Sequence, residues 1–270
     1  MSEAKALLDS GNLNEAIQEA LNAVRSKPTD ITARIFLFEL SCFSGDWERA
    51  EKQLEVIGQQ DVKAMIGAQI YKQNFKAEHD RISLFSEGLI PECLMPPPNY
   101  VEGLLAAVSH VKDGKLKEGI EVIGQVEEKR PAFACKVNGE ESADFRDCND
   151  LTMCVFEAIV KDSYTWLPFE QVESVEFIPA ATLRDNYWRQ AEVGMVNGTK
   201  GEMFLPSLYV DTFKSENDDI RLGRVTDWRD TGEDIFIGEG VRLYQLDSGF
   251  KPISEIESIE FIHDLEEDGE

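Results

Sequence analysis

Small and hydrophobic residues recur along the first half of the chain with a period of 34 residues. The sequence GNLNEA at residues 11–16 returns as GDWERA at residues 45–50, and both fit the pattern G-x-[LW]-x-x-A. Each glycine suits the end of a helix, where a left-handed backbone is needed. A period of 34 is that of the tetratricopeptide repeat, so the pattern predicts stacked pairs of helices.

The pattern restarts at residues 113–119 (DGKLKEG), two periods plus one residue after its second copy. The unit between them is degenerate, with helical stretches expected over residues 63–73 and 78–85. A stiff, proline-rich connector is expected over residues 91–98. We therefore expect three clear helix pairs and one degraded pair, together forming a tetratricopeptide-like helical domain of residues 1–130.

A short solenoid of this kind presents a concave face that can hold a peptide or a helix, although it can also serve only as a packing scaffold. The repeat register places eight residues on this inner face as candidates for partner binding. These predicted inner-face residues are Lys5, Leu8, Ile35, Glu39, Gln69, Gln73, Leu104 and Val108. Because the register is taken from spacing alone, half of them could simply be core residues.

The hydrophobic pattern of the second half alternates instead of following helical spacing. Asn197-Gly198 separates two such runs and is the strongest short-range signal for a β-hairpin. Further strands are expected over residues 155–160 and 241–246, each followed by a turn sequence. The chain from residue 131 to 270 is therefore expected to be a mainly-β domain, and the fold class is expected to be α+β.

The β half also contains an internal repeat. PFEQVESVEFI at residues 168–178 returns as PISEIESIEFI at residues 252–262, with six of the eleven positions identical. We expect a duplicated β unit, with copies around residues 151–178 and 237–262, built as strand, turn, strand, helical turn and strand. Such a unit would form two small barrels or one pseudo-symmetric sandwich. The helical turns are expected at residues 171–173 and 255–257.

The charge of the chain excludes several classes of partner. Its 52 acidic and 27 basic residues give a net charge of −25, and no cluster of Lys and Arg is present. A binder of nucleic acid or of an anionic membrane needs such a cluster, so neither partner is expected. The N-terminus lacks a signal-peptide pattern, and the five cysteines are irregularly spaced without a C-x-x-C motif. We expect reduced thiols in a cytoplasmic protein.

Candidate chemistry is confined to one group of carboxylates. Asp147 and Asp150 lie three residues apart and could join Glu157 and Asp185 in a metal or acid/base site. No histidine-containing metal motif accompanies them, and carboxylates at loop ends more often cap turns and helices. We therefore expect no catalytic residue, no metal and no cofactor. In the same half, Arg224 is expected to form a buried pair with an aspartate beneath a tryptophan.

Several longer motifs carry a resemblance to a known family. They are Asn138-Gly139, DFRDCND at 144–150, YTWLP at 164–168, LRDNYWR at 183–189, LPSLY at 205–209 and LGRVTDW at 222–228. In their order, and together with the repeat at Gly11, they span nearly the whole chain. The sequence resembles the ImpE family, also called TagJ or SciE-type proteins, which are accessory components of bacterial type VI secretion systems. Cys148-Asn149 departs from the acidic pair that the family motif has before Asp150.

The resemblance implies an interaction protein and not an enzyme. It implies a bacterial cytoplasmic adaptor that binds the N-terminal helix of the small contractile-sheath subunit, TssB. Through that subunit it implies an indirect link to the unfoldase ClpV and to sheath assembly or recycling. The motif residues are expected to be structural. They are Arg146, Asp147, Asp150, Trp166, Asp185, Trp188, Arg224, Asp227 and Trp228.

Two alternatives to the adaptor remain open at this point. The carboxylate group leaves a metal-dependent hydrolase as a second hypothesis, and the helical repeat leaves a general peptide-binding chaperone as a third.

The acidic surface of an adaptor would prefer a ligand with basic residues around its apolar anchors. The partner helix could be received on the inner repeat face or at the seam between the two domains.

Overall fold

The structure, a computed structural model, describes residues 2–263. Its N-terminal half is helical and its C-terminal half is rich in strands, so the predicted α+β class is confirmed. No described helix is long and apolar enough to cross a membrane. The helices are α1 Ser2–Asp9, α2 Leu13–Ser26, α3 Ile31–Phe43, α4 Trp47–Gln60, α5 Val62–Glu87, α6 Asn99–Lys112, α7 Leu116–Lys129 and the single turn α8 Asp218–Arg221.

The repeat signal identified three helix pairs, α1 with α2, α3 with α4, and α6 with α7. The loop that joins each pair turns at Gly11, Gly45 or Gly114, all with positive φ. Glycine adopts this left-handed conformation without the steric cost that a Cβ brings. The side chains of Asp30 and Asp46 accept hydrogen bonds from the first turns of α3 and α4, which fixes where these helices begin.

The prediction of two separate helical stretches between residues 63 and 85 was wrong. Helix α5 runs without interruption for 26 residues, Val62–Glu87, between its N-cap Asp61 and its C-cap Gly88, where φ is +85°. Asn74 interrupts the apolar pattern in the middle of this helix, yet it is buried beside Phe75. Burial against the rest of the chain keeps the helix continuous where the periodicity alone indicates a break.

Fourteen strands form three sheets among the described residues. The largest has the order β1-β6-β5-β9-β8-β7-β14-β2-β3, while β13-β12-β4 and β10-β11 form smaller sheets. The strands are β1 Glu92–Cys93, β2 Cys135–Val137, β3 Glu140–Ser142, β4 Arg146–Asp147, β5 Val155–Val160, β6 Ser163–Pro168, β7 Val172–Phe177, β8 Trp188–Met195, β9 Lys200–Pro206, β10 Thr226–Arg229, β11 Ile237–Gly240, β12 Leu243–Leu246, β13 Gly249–Pro252 and β14 Ser258–Phe261.

The two halves of the chain share the largest sheet. Strand β1, in the connector after α5, pairs in parallel with β6, although the connector was expected only to be stiff. All other pairings in this sheet are antiparallel, and the hairpin predicted from Asn197-Gly198 joins β8 to β9. The helical half therefore contributes an edge strand to the β half.

The internal repeat is a structural duplication. One copy comprises β5, β6 and β7, and the other comprises β12, β13 and β14. The last strands of the two copies are antiparallel neighbours in which Val175 lies opposite Ile259. A 3₁₀ turn precedes each of these strands at Phe169–Gln171 and Ile253–Glu255, two residues earlier than the sequence predicted. The two copies thus meet through their last strands inside the largest sheet, whereas β12 and β13 belong to a smaller sheet with β4.

Candidate functional site

The predicted inner-face residues divide into a buried and an accessible group. Leu8, Glu39, Leu104 and Val108 are buried by contacts within the chain. Lys5 and Gln69 are exposed, and Ile35 and Gln73 are partly exposed. A partner could therefore contact only the second group without a rearrangement of the protein.

The β half itself covers part of the repeat face. Arg184, in the loop before β8, donates from Nη1 to Glu39 Oε1 at 2.7 Å and from Nε to Tyr71 Oη at 2.9 Å. Its guanidinium also lies 5.1 Å from the centre of the Tyr71 ring. Trp47, at the start of α4, packs against Tyr187 and Trp188 of the β half. Aromatic and ionic contacts therefore join the two halves.

The four carboxylates considered for a metal or acid/base site do not converge. Asp150 pairs with Arg146 at 2.6 Å and accepts a hydrogen bond from the backbone of Phe236. Asp185 forms a capping box with Thr182 in a separate 3₁₀ turn. Only Asp147 and Glu157 are brought together, and Arg242 lies between them as an ion-pair partner of both.

Asp147 and Glu157 belong to a buried chain of alternating charges that continues into helix α5. Arg81 contacts Glu157 through Nε at 2.9 Å and Nη2 at 3.1 Å, and its Nη1 donates to Glu78 Oε1 at 2.8 Å. The five side chains Glu78, Arg81, Glu157, Arg242 and Asp147 are all almost fully buried. We call this set the charge chain, and it connects α5 to strands β5 and β4.

Hydrogen bonds satisfy the remaining atoms of the charge chain. Tyr164 donates to Glu157 at 2.5 Å, and Tyr209 and Thr152 each donate to Asp147 at 2.9 Å. Burial raises the pKa of Glu157, but the guanidinium groups of Arg81 and Arg242 outweigh it and lower that pKa to about 2. A carboxylate held ionised between two arginines is a poor proton donor or acceptor near neutral pH. The arrangement fits a structural joint better than an acid/base site.

The described residues contain no group of three or more His, Cys, Asp or Glu side chains arranged to hold a metal ion. Four of the five cysteines are buried and all five thiols are free. Burial raises the pKa of the Cys135, Cys148 and Cys154 thiols to about 12, which keeps them protonated and weakly nucleophilic. These three thiols therefore lack the lowered pKa of an activated cysteine nucleophile.

The motif residues of the family resemblance occupy different environments. Trp166 and Trp188 are buried, and Trp188 Nε1 donates to Glu78 at 3.2 Å. Arg224 pairs with an aspartate as expected, with Nη1 at 3.1 Å from Asp219 Oδ1, but the expected burial of this pair was wrong because Arg224 is exposed. It also donates to the backbone oxygen of Leu8 at 2.6 Å, so it links the β half to α1. Asp227 and Trp228 are exposed as well.

Three of these motifs meet at a seam cavity of about 750 Å³, next to the end of α1. Residues of the motifs at 183–189, 205–209 and 222–228 line it together with Leu8. Arg189 is buried there, stacks 4.2 Å over the Phe177 ring and donates to two backbone oxygens. Burial without a paired carboxylate lowers the pKa of Arg189. The seam that the sequence left open as a binding surface is therefore a real concavity.

Sequence reasoning missed the central members of the charge chain. Glu78, Arg81 and Arg242 were not singled out, and each arginine partner of Glu157 lies more than 70 residues away along the chain. One signal was present, since Glu78 and Arg81 share the side of α5 that carries the buried Ala77 and Leu84. Charged residues in an apolar helical stripe are rarely left buried without partners.

Comparisons with known proteins place the chain in a family. A family model described as ImpE protein matches residues 139–260. The chain is 32% identical over 258 residues to the type VI secretion system accessory component TagJ of Pseudomonas aeruginosa strain PAO1, covering 96% of this chain and 90% of TagJ. The chain belongs to the ImpE family.

The ImpE assignment extends to the whole architecture. The chain is similar to the crystal structure of protein VPA1032 from Vibrio parahaemolyticus, with a TM-score of 0.89 and 26% sequence identity. The match covers 97% of this chain and 98% of the VPA1032 chain. The family model covers only part of the β half, whereas these two relatives also include the helices. The helical half and the β half of this ImpE protein thus match one solved structure over nearly the whole chain.

Proposed function

We propose that this ImpE protein is a non-enzymatic, cytoplasmic adaptor of a type VI secretion system. It binds the N-terminal helix of the small contractile-sheath subunit, TssB. The observation that carries the proposal is the 32% identity to TagJ, a type VI secretion system accessory component, across 96% of the chain. An adaptor needs a rigid framework and an accessible surface, and both are present in the helical half.

Helix α5 offers the accessible surface. Ile66, Gln69, Ile70 and Gln73 follow each other at the i, i+3, i+4 and i+7 spacing, so they lie on one side of this helix. We call them the α5 stripe. Ile66 is 69% exposed and Ile70 is 40% exposed, and Gln69 and Gln73 are two of the predicted inner-face residues. Two exposed isoleucines beside two glutamines fit the apolar side of an amphipathic helix.

The charge of the protein selects among such helices. At a net charge of −25, the surface attracts helices that carry Lys and Arg beside their apolar residues and repels acidic ones. The proposal links binding of the sheath subunit to sheath assembly or to ClpV-dependent recycling. A general chaperone is the competing function, and it would accept many apolar peptides of different sequence.

Co-purification with the intact sheath subunit tests this function. The tagged protein is expressed with the full small sheath subunit, with that subunit lacking its N-terminal helix, and with an unrelated soluble protein fused to the helix. The proposal expects recovery of the full subunit and of the fusion, and loss of the truncated subunit. Equal recovery of full and truncated subunits would contradict it.

A further inference from the structure

An aromatic groove crosses the junction between helix α7 and the smaller β-sheets. It has a volume of about 530 Å³, which is within the range of pockets that bind ligands. Ile120, Ile123 and Gly124 line it from the helix, and Trp228, Phe236 and Phe250 line it from the β half. The α5 stripe lies on a different helix, so the groove is a separate surface.

The exposed aromatic side chains of the described residues all line this groove. The chain has 15 Phe, 6 Tyr and 4 Trp, and nearly all of them are buried or half-buried. The exceptions are Trp228, Phe236 and Phe250, which are 37%, 56% and 70% exposed. All three line the same groove, and the rings of Trp228 and Phe236 pack edge to face with their centres 6.0 Å apart. Aromatic residues gathered in one exposed concavity are typical of a protein-binding surface.

The helix side of the groove is open down to its backbone. A Cβ added at Gly124 would meet no atom within 4 Å, so packing within the chain does not require glycine there. A glycine inside a helix costs about 1 kcal/mol relative to alanine. Close approach of a bound chain to the α7 backbone would account for a glycine at this position.

Charge identifies the kind of occupant. Glu127, Asp150 and Asp234 line the groove, and Arg146 is the single cation among its described lining residues. Arg146 pairs with both Glu127 and Asp150, and Glu127 also pairs with Arg130 outside the groove. Asp234 forms no salt bridge among the described residues. The rim is therefore acidic. A second copy of this chain, with its net charge of −25, would be repelled from such a rim.

We propose that this aromatic groove docks a segment of a partner protein whose apolar side chains are flanked by Lys or Arg. The apolar side chains enter between Ile123, Phe236 and Phe250, and the basic residues face the acidic rim. This inference does not depend on the proposed sheath partner, because it concerns another helix and names only the chemistry of the occupant.

A model peptide tests the groove directly. The probe is an 18-residue peptide of Leu and Lys at helical spacing, compared with a peptide in which Glu replaces every Lys. Binding is followed by calorimetry in 0.3 M salt and by the fluorescence of Trp228. In the Ile66→Asp/Ile70→Asp variant, which removes the α5 stripe, we expect saturable one-to-one binding of the Leu/Lys peptide, a change in emission that disappears on adding Trp228→Phe, and no binding of the Leu/Glu peptide.

Two matched variants separate the groove from the general acidity of the surface. Gly124→Leu fills the groove, whereas Gly201→Leu makes the same change on β9, where an added Cβ also meets nothing within 4 Å. The inference expects at least a tenfold loss of affinity in Gly124→Leu and less than a twofold change in Gly201→Leu. Equal affinity in both variants would overturn it, as would equal binding of the Leu/Glu peptide. A dimer of the free protein that Gly124→Leu abolishes would overturn the choice of occupant.

Discussion

Arg81 on helix α5 and Glu157 on strand β5 form a buried two-point ion pair, with Nε–Oε1 at 2.9 Å and Nη2–Oε2 at 3.1 Å. Because α5 belongs to the helical half and β5 to the duplicated sheet, this pair fixes the two halves against each other. The remaining members of the charge chain extend the contact on both sides. Helix α5, which carries the α5 stripe, is therefore ion-paired directly to the β half.

Removing the charge of Glu157 will destabilise the protein. Glu157→Gln keeps the shape of the side chain but leaves Arg81 and Arg242 without their shared counter-ion. Breaking a buried ion pair in this way costs about 3–5 kcal/mol. Urea denaturation at pH 7 should show a loss of unfolding free energy of that order. A loss below about 1 kcal/mol would mean that the charge chain does not join the halves.

The same variant should reveal a pH dependence. The pKa of Glu157 is lowered to about 2 from the ordinary value of 4.5, so ionisation of this residue stabilises the folded state. That contribution is complete above pH 4.5 and is lost as the pH falls towards 2. The stability difference between the wild type and Glu157→Gln should therefore shrink between pH 5 and pH 2.5. A constant difference over this range would contradict the assignment.

Two repeat glycines form a matched pair for a stability test. Gly45 and Gly114 both have positive φ, at +69° and +73°, so alanine at either position brings a backbone cost of about 1–2 kcal/mol. At Gly45 an added Cβ would also lie 2.3 Å from the Phe213 ring, whereas at Gly114 it would meet nothing. Overpacking of this kind adds about 1–3 kcal/mol. Denaturation midpoints should rank Gly45→Ala below Gly114→Ala, and the reverse order would contradict the packing of Phe213.

The α5 stripe can be tested without disturbing the fold. Ile66→Asp combined with Ile70→Asp places two charges on exposed positions, where stability changes are usually within about 0.5 kcal/mol. We expect at least a tenfold loss of affinity for the sheath-subunit helix and an unchanged melting temperature. Ile90→Asp is the control, because Ile90 is also exposed but lies beyond the C-terminal end of α5.

A charge at Leu104 should destabilise the fold, unlike charges placed on the α5 stripe. It was predicted as an inner-face residue, but it is fully buried, so Leu104→Asp should unfold the protein and not report on binding. If the double variant on α5 binds normally, the α5 stripe is not the site and the seam cavity near Leu8 becomes the next surface to test.

Local signals in the sequence were sufficient for most of the fold. Glycine at the ends of helices, Asn197-Gly198 between alternating runs, and the repeated 11-residue segment each act over a few neighbouring residues. They predicted the helix pairs, one hairpin and the duplication. The continuity of α5 was not predicted, because the burial of Asn74 is not visible in the helical periodicity of the sequence.

The arrangement of the candidate sites could not be predicted from such local signals. Apart from Glu78–Arg81 within α5, the ion pairs of the charge chain join residues 76 to 95 positions apart, and such pairings leave no periodic signal. The motif that contains Arg224 and Trp228 was recognised, yet its residues are exposed and serve different contacts. A motif indicates which residues matter, whereas their environment depends on tertiary packing.

Calorimetric titration of the purified protein with a peptide of the cognate TssB N-terminal helix is the most direct test of the adaptor function. A scrambled peptide of the same composition is the control. The account predicts saturable one-to-one binding of the native peptide and no heat from the scrambled one. Absence of binding, or equal binding of both peptides, would contradict it, and equal binding would favour a general chaperone.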